Sequence, residues 1–310
     1  MRNATLWLDE EGQAIQAHGG CLLQYRDQWY WYGEDKDADN LIGCGQGDQT
    51  PFRGFSCYRS PDLVHWHRMG FALAAEDVQE KGGVPPDVVG ERPKVVRDPV
   101  TGRFVMWFHL DNRAYTLARA GVAVSDCPEG PFRLAAVRHP NRKDVRDMTL
   151  FQDPEGGTWL IHSGDWNKTL YIARLDDRLT DVTGLYAKAF VDQEREAPAA
   201  LYWKGTYYLL TSGCTGWEPN TLLYGQSREL LCGWKLVADP CEGPGCRRTF
   251  GGQGAHLFVA GNRPYLLLDH WNPGRLRLSG YSILPVLVNN GVLTVPWRDE
   301  WSGLEPSPLP

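Results

Sequence analysis

CLLQYRDQWYWYGE at 21–34 reads as two short strands joined by a polar turn, and the same grammar returns four times. It recurs in PKVVRDPVTGRFVMWFHLD at 93–111, MTLFQDPEGGTWLIHSGD at 148–165, PAALYWKGTYYLLTSG at 198–213 and AHLFVAGNRPYLLLDH at 255–270. Each unit opens with an apolar strand, turns on RD, PVTG, PEGG, WKG or AGN, and returns in a strand rich in aromatics. Most units continue into a third strand and a short outer one, as in GFSCYRSPDLVHWHRMG at 54–70, AGVAVSDCPEGPFRLAA at 120–136, TLYIARLDDRLTDVTG at 169–184 and TLLYGQSRELLCGWKLV at 221–237. Helical periodicity is nearly absent. Repeated units of roughly 45–70 residues, each a four-stranded sheet, predict an all-β five-bladed β-propeller, with residues 1–310 forming one catalytic domain.

Composition narrows the function. The chain has 310 residues, is 42% apolar and carries a net charge of −6, with arginines scattered rather than clustered, which argues against nucleic acid as a partner. The start, MRNATLWLDEEGQ, has no apolar leader, and no segment suits a membrane span. As it stands the chain reads as cytoplasmic; a secreted or periplasmic protein with its leader removed would look the same. The eight cysteines show no paired CxxC spacing, so free thiols are expected rather than zinc; Cys241 and Cys246, flanking a Gly/Pro-rich loop, are the one pair placed to bridge. The informative excess is aromatic: 13 Trp and 13 Tyr, side chains that β-sheets favour and on which the apolar faces of sugars stack.

The first strand of a propeller blade lies nearest the axis, and its opening residue faces the central cavity. Those residues are His18 in QAHGG, Glu91 in GERPK, Asp147 in VRDMTL, Glu196 in REAPA and Gln253 in GGQGAH. Any one alone reads as a solvated turn residue. Repetition at one position of every unit points instead to a site, because gathered ionisable groups are costly unless they bind or react with something. Arg92, Arg146 and Arg195 adjoin three of them and can set their charge state. Paired carboxylates in a Trp-lined cavity suit glycoside hydrolysis, in which one acid protonates the leaving oxygen and a second group directs water to the opposite face. Glu196, followed by Ala-Pro-Ala, has the least polar surroundings of the set.

At these residues the chain resembles glycoside hydrolase family 43, in the branch of exo-β-1,3-galactanases. The matching segments are IQAHGG at 15–20, WYWYGEDK at 29–36, ERPKV at 91–95, TGRFVMWFHLD at 101–111, RDMTLFQD at 146–153, REAPA at 195–199, YYLLTSGCTGWEPN at 207–220, GGQGAH at 251–256 and DHWNP at 269–273. The family's first-blade aspartate is absent here, where the chain reads His18-Gly19-Gly20, a departure shared with the galactanase-like branch. The resemblance implies Glu196 as general acid, Gln253 in the place of the base, Asp147 as modulator of the acid and Glu91 as a substrate-orienting residue. An amide is a poor base, so water activation through Gln253 needs an imidic tautomer or position alone; in the second case Glu91 or Asp147 takes the proton.

Around them, His18, Glu34, Asp111, Trp166, Asn167, Trp217, Asn220 and Trp271 are the candidate sugar contacts, with Trp217 the foremost stacking residue. The expected activity is inverting, exo-acting release of galactose from β-1,3-galactan or arabinogalactan-type glycans, with an oligosaccharide or polysaccharide as partner. The rivals are an α-L-arabinofuranosidase of the same family and a carbohydrate-binding propeller without activity. No cofactor is expected; a cation on the axis near His256 has no ligand cluster in the sequence to hold it.

Overall fold

The computed structural model describes residues 1–41, 49–79 and 84–304; Cys44 and the tail EPSPLP at 305–310, expected to close the last blade or fray, lie outside them. Four sheets have four antiparallel strands in chain order. They are β1 (His18–Tyr25), β2 (Gln28–Glu34), β3 (Gly54–Ser60) and β4 (His67–Ala74); β5 (Val88–Arg97), β6 (Phe104–Asn112), β7 (Arg119–Ser125) and β8 (Arg133–Arg138); β9 (Met148–Gln152), β10 (Thr158–Gly164), β11 (Thr169–Leu175) and β12 (Val182–Ala189); β13 (Arg195–Trp203), β14 (Thr206–Gly213), β15 (Leu223–Ser227) and β16 (Lys235–Ala238). A fifth sheet joins β18 (Gln253–Ala260), β19 (Arg263–His270) and β20 (Gly280–Pro285), and a sixth joins β17 (Cys241–Glu242), β22 (Val292–Pro296) and β21 (Leu287–Asn289).

The all-β propeller is as expected, but the expectation of five sheets is corrected to six. The three-stranded β17–β22–β21 sheet escaped the sequence reading because its strands are too short to show a period. One signal for it was in view: Asn290-Gly291, with φ of 51° and 80°, is the turn of the β21–β22 hairpin.

Strands β1, β5, β9, β13 and β18 pack side by side in a closed ring, each the first strand of its sheet. Because neighbouring sheets stack face to face, a strand is apolar on both sides. Along β2, Trp29 and Trp31 enter one core with Trp7, Trp66 and Tyr281, while Tyr30 and Tyr32 enter another with Phe55 and Phe108. Each such side chain contributes about 1.5–3 kcal/mol by burial, and most of the 13 Trp are used this way. The ring is fastened where the chain ends meet: Ala4 N–H donates to Tyr281 O (2.9 Å), Tyr281 N–H to Thr5 O (3.0 Å), and Thr5 lies antiparallel beside β20.

Four of the five inner strands share one device at their openings. Pairing slips by a bulge between His18 and Cys21, between Glu91 and Lys94, between Glu196 and Ala199, and between Gly254 and His256. Gly19, Arg92 and Ala197, each one residue past the predicted cavity residue, take left-handed φ of 59°, 52° and 49°. A bulge kinks its strand and re-aims the preceding side chain. The seven cysteines among the described residues are all free, Cys241 and Cys246 included.

Candidate active site

A cavity of about 170 Å³ opens at the start of the inner strands. Glu91, Asp147, Glu196 and Gln253 all line it, so four of the five predicted strand-start residues converge, together with Arg92, His109, Tyr115, Arg146, Asn167 and Trp217.

Arg92 is its electrostatic centre. The buried guanidinium donates to Gln253 Oε1 (2.5 Å) and Gly254 O (3.0 Å) and pairs with Asp147 Oδ2 at 3.2 Å, while its backbone N–H donates to Glu34 Oε1 at 2.9 Å. Asp147 Oδ2 also accepts the N–H of Ala197 (3.0 Å), which ties it to the residue after Glu196. Glu196 accepts from Gln253 Nε2 (3.1 Å) and Asn167 Nδ2 (3.3 Å). Burial, and then the negative charge of Asp147, push the Glu196 carboxyl up to about 8 against the opposing pull of Arg92. It therefore holds a proton at neutral pH.

Gln253 has both halves of its amide engaged. Nε2 donates to Glu196 and to Ser212 Oγ (3.0 Å), and Oε1 accepts from Arg92 and from Trp271 Nε1 (3.0 Å). Arginine and indole N–H groups can only donate, so Oε1 is held as a carbonyl oxygen.

On the opposite flank a histidine the sequence reading missed joins two carboxylates. His109 donates from Nδ1 to Glu91 Oε2 (3.2 Å) and from Nε2 to Asp111 Oδ2 (2.8 Å), and Tyr115 hydroxyl donates to Glu91 Oε1 (2.6 Å). Burial opposes charge on this imidazole, but the bonds to Asp111 and Glu91 outweigh it and raise His109 to about 9. Glu91, partly buried, is brought down to about 2 by His109, Lys36 and Tyr115. The alternation in HLD at 109–111 places His109 and Asp111 on one side of β6, the signal that was available for it; Tyr115 and Gln49, on loops, gave none.

The remaining predicted residues are placed as follows. Trp217 lines the cavity and meets Trp271 edge to face, with ring centres 5.0 Å apart, so the two indoles form one wall with Gln253. His18, wholly buried, is bonded to Asp269 (3.2 Å) and Tyr281 (3.1 Å) and does not line the cavity. Glu34 is also buried, paired with Lys36 at 2.7 Å, and borders a smaller cleft shared with Glu91. Asp111 reaches the cavity only through His109 and Arg146. Asn220 clamps the turn after β14 by bonding both N–H and O of Gly213, and Trp166 stands exposed at the rim. Of the arginines, Arg195 points away and bonds Thr211.

The model for glycosyl hydrolases family 43 matches residues 23–239. This chain belongs to glycosyl hydrolase family 43. It is thereby a glycoside hydrolase by family, and solved members resemble it over nearly its whole length. A β-1,3-galactosidase of family 43 solved with galactodeoxynojirimycin is 34% identical, with 97% of this chain and 99% of that one aligned and a TM-score of 0.89. An exo-β-1,3-galactanase from Phanerochaete chrysosporium, solved with β-1,3-galactotriose, is 31% identical over 95% of this chain and 66% of its own, at 0.85. Another from Clostridium thermocellum is 33% identical over 96% and 65%, also at 0.85. An extracellular endo-α-(1→5)-L-arabinanase from Thermotoga petrophila is 26% identical over half of this chain, which spans about 40% of that relative.

Proposed function

We propose that this family 43 enzyme releases single galactose units from the end of β-1,3-linked galactan or arabinogalactan-type chains, with inversion at the anomeric carbon. The observation that carries the reading is Glu196, a carboxyl held protonated to about pH 8 beside a second carboxylate, in a cavity walled by tryptophan. The cavity of about 170 Å³ is smaller than the roughly 300–1,000 Å³ of ordinary ligand clefts, which favours one terminal sugar over an internal stretch of chain. The galactosidase and galactanases that align over almost all of this chain support galactose as that sugar.

In this mechanism Glu196 gives its proton to the glycosidic oxygen as the bond to the anomeric carbon breaks. The carboxylate left behind is met by the N–H groups of Gln253 and Asn167 and by the charge of Arg92. Asp147 keeps the acid protonated beforehand. Gln253, whose four hydrogen-bonding positions are taken by Arg92, Trp271, Glu196 and Ser212, fixes these groups around the attacking water, and the water's proton passes to Asp147 in preference to Glu91, whose carboxylate its own partners hold down to about 2. Glu91, fixed by His109 and Tyr115, orients the sugar hydroxyls.

The test is proton NMR of the sugar first released from β-1,3-galactooligosaccharides and, in parallel, from arabinose-decorated arabinogalactan. α-Galactose from the wild type and none from Glu196→Gln is the expected result. Arabinose alone would favour the rival arabinofuranosidase, to which the Thermotoga relative lends support, and no sugar from either substrate would leave a binding propeller.

A further inference from the structure

The tip of the β10–β11 hairpin holds the one tryptophan among the large exposed apolar side chains of the described residues: Trp166 is 65% exposed. Three consecutive residues there, Asp165, Trp166 and Asn167, have left-handed φ of 50°, 59° and 63°, a conformation unfavourable for a bulky side chain. The tip is held by its neighbours. Asp144 accepts the backbone N–H of Asp165 (2.5 Å) and of Trp166 (2.9 Å), and the Tyr171 hydroxyl donates to Asp165 at 2.5 Å. Beneath the indole lies Arg146, its Cζ 4.5 Å from the ring centre, and Arg146 is itself held by Tyr115 O, Asp144 and Asp111. One face of the ring thus rests on a fixed cation, while the side chain stays largely open to solvent.

The position of the tip gives this ring a direction. The next residue, Asn167, lines the cavity and bonds Glu196, and its own Oδ1 has no partner. Trp217, which lines the cavity, and Trp271, which borders an adjoining cleft, stand with Gln253. An acid that protonates the leaving oxygen must face the leaving group, so the side of Glu196 marked by Asn167 and Trp166 borders the departing chain.

We propose that Trp166 is the platform on which the sugar on the leaving-group side of the cleaved bond stacks, and that it sets the enzyme's preference for a glycan over a bare leaving group. This rests on the galactosidase reading above. Asn tolerates the left-handed backbone, so Trp166→Asn removes the ring without adding strain.

The measurement is the ratio of kcat/KM on β-1,3-galactotriose to that on β-galactosyl fluoride, which carries no sugar on the leaving side. In Trp166→Asn this ratio should fall about tenfold, chiefly through KM for the triose, and Trp166→Phe should restore it to within about threefold. An unchanged ratio in Trp166→Asn, with both substrates affected equally or not at all, would overturn the platform. A wild type that releases galactose from neither substrate would instead sink the galactosidase reading itself.

Discussion

Glu196 and Gln253 touch, yet their chemistry differs in what neighbours allow. Glu196 must be protonated to act, so turnover should fall as pH rises through about 8, and Glu196→Gln should lower kcat by about 10²–10⁴ at pH 7. The same shift acts on stability. Between the ordinary carboxyl value of 4.5 and about 8, the folded chain keeps a proton that the unfolded chain has released, so the wild type loses stability as pH rises across that window. Glu196→Gln should therefore melt higher than the wild type at pH 8, with the gap closing towards pH 4.5 in thermal scans. For Gln253, a carbonyl oxygen whose two lone pairs are both taken by obligate donors is not free to accept a proton from water. Gln253→Ala should accordingly keep measurable turnover in a stopped assay with β-1,3-galactobiose, whereas a base acting through a tautomer would leave none.

At the scale of elements, the bulged strand opening is what converts a repeat into a site. Gly19 shows the constraint most sharply: its φ is 59°, and a Cβ there would collide with the Glu34 carboxylate that receives the Arg92 N–H. Gly19→Ala should destabilise by about 1–3 kcal/mol in denaturant titration and loosen Arg92 as well. The alternation of CLLQYRDQWYWYGE made the inner hairpins legible, and three acids and an amide at the openings of the first strands made four of the cavity residues legible. His18 follows the same pattern but is buried, because Asp269 on β19 and Tyr281 on β20 claim its polar atoms, and Glu34, at the end of β2, is covered by Lys36 two residues on and by the Arg92 N–H from β5. Such long-range partners leave no local trace in a sequence. The His109 bridge was half visible in HLD, since strand alternation gives a shared side but not what stands opposite.

On the whole-molecule scale, the inner strands carry a fixed charge of their own beside His256. Lys94 is wholly buried and donates to Gly19 O at 2.6 Å. Burial, and then the charge of Lys94, hold His256 neutral, down to about 3, while its Nδ1 accepts the Leu22 N–H. A second cation beside that ammonium would be repelled. Dialysis against a chelator should thus leave galactose release intact; loss of activity restored by a divalent ion would contradict this. The closure beside β20 is a second global dependence. Removing residues 1–6 strips Thr5 and Ala4 from Tyr281, and the truncated protein should melt several degrees lower, read by calorimetry.

That closure also has a consequence in time. Ala4 and Thr5 are translated long before Tyr281, their partner. Throughout synthesis β1 has only β5 on one flank, and its neighbour β18 does not yet exist. Glu91, Asp147 and Glu196 are already translated by then, but Gln253, which bonds the acid and receives Arg92, arrives only with β18. A nascent chain that still lacks β18 therefore carries the carboxylates without the Gln253 that bonds the acid, and the cavity is complete only when β18 packs between β13 and β1.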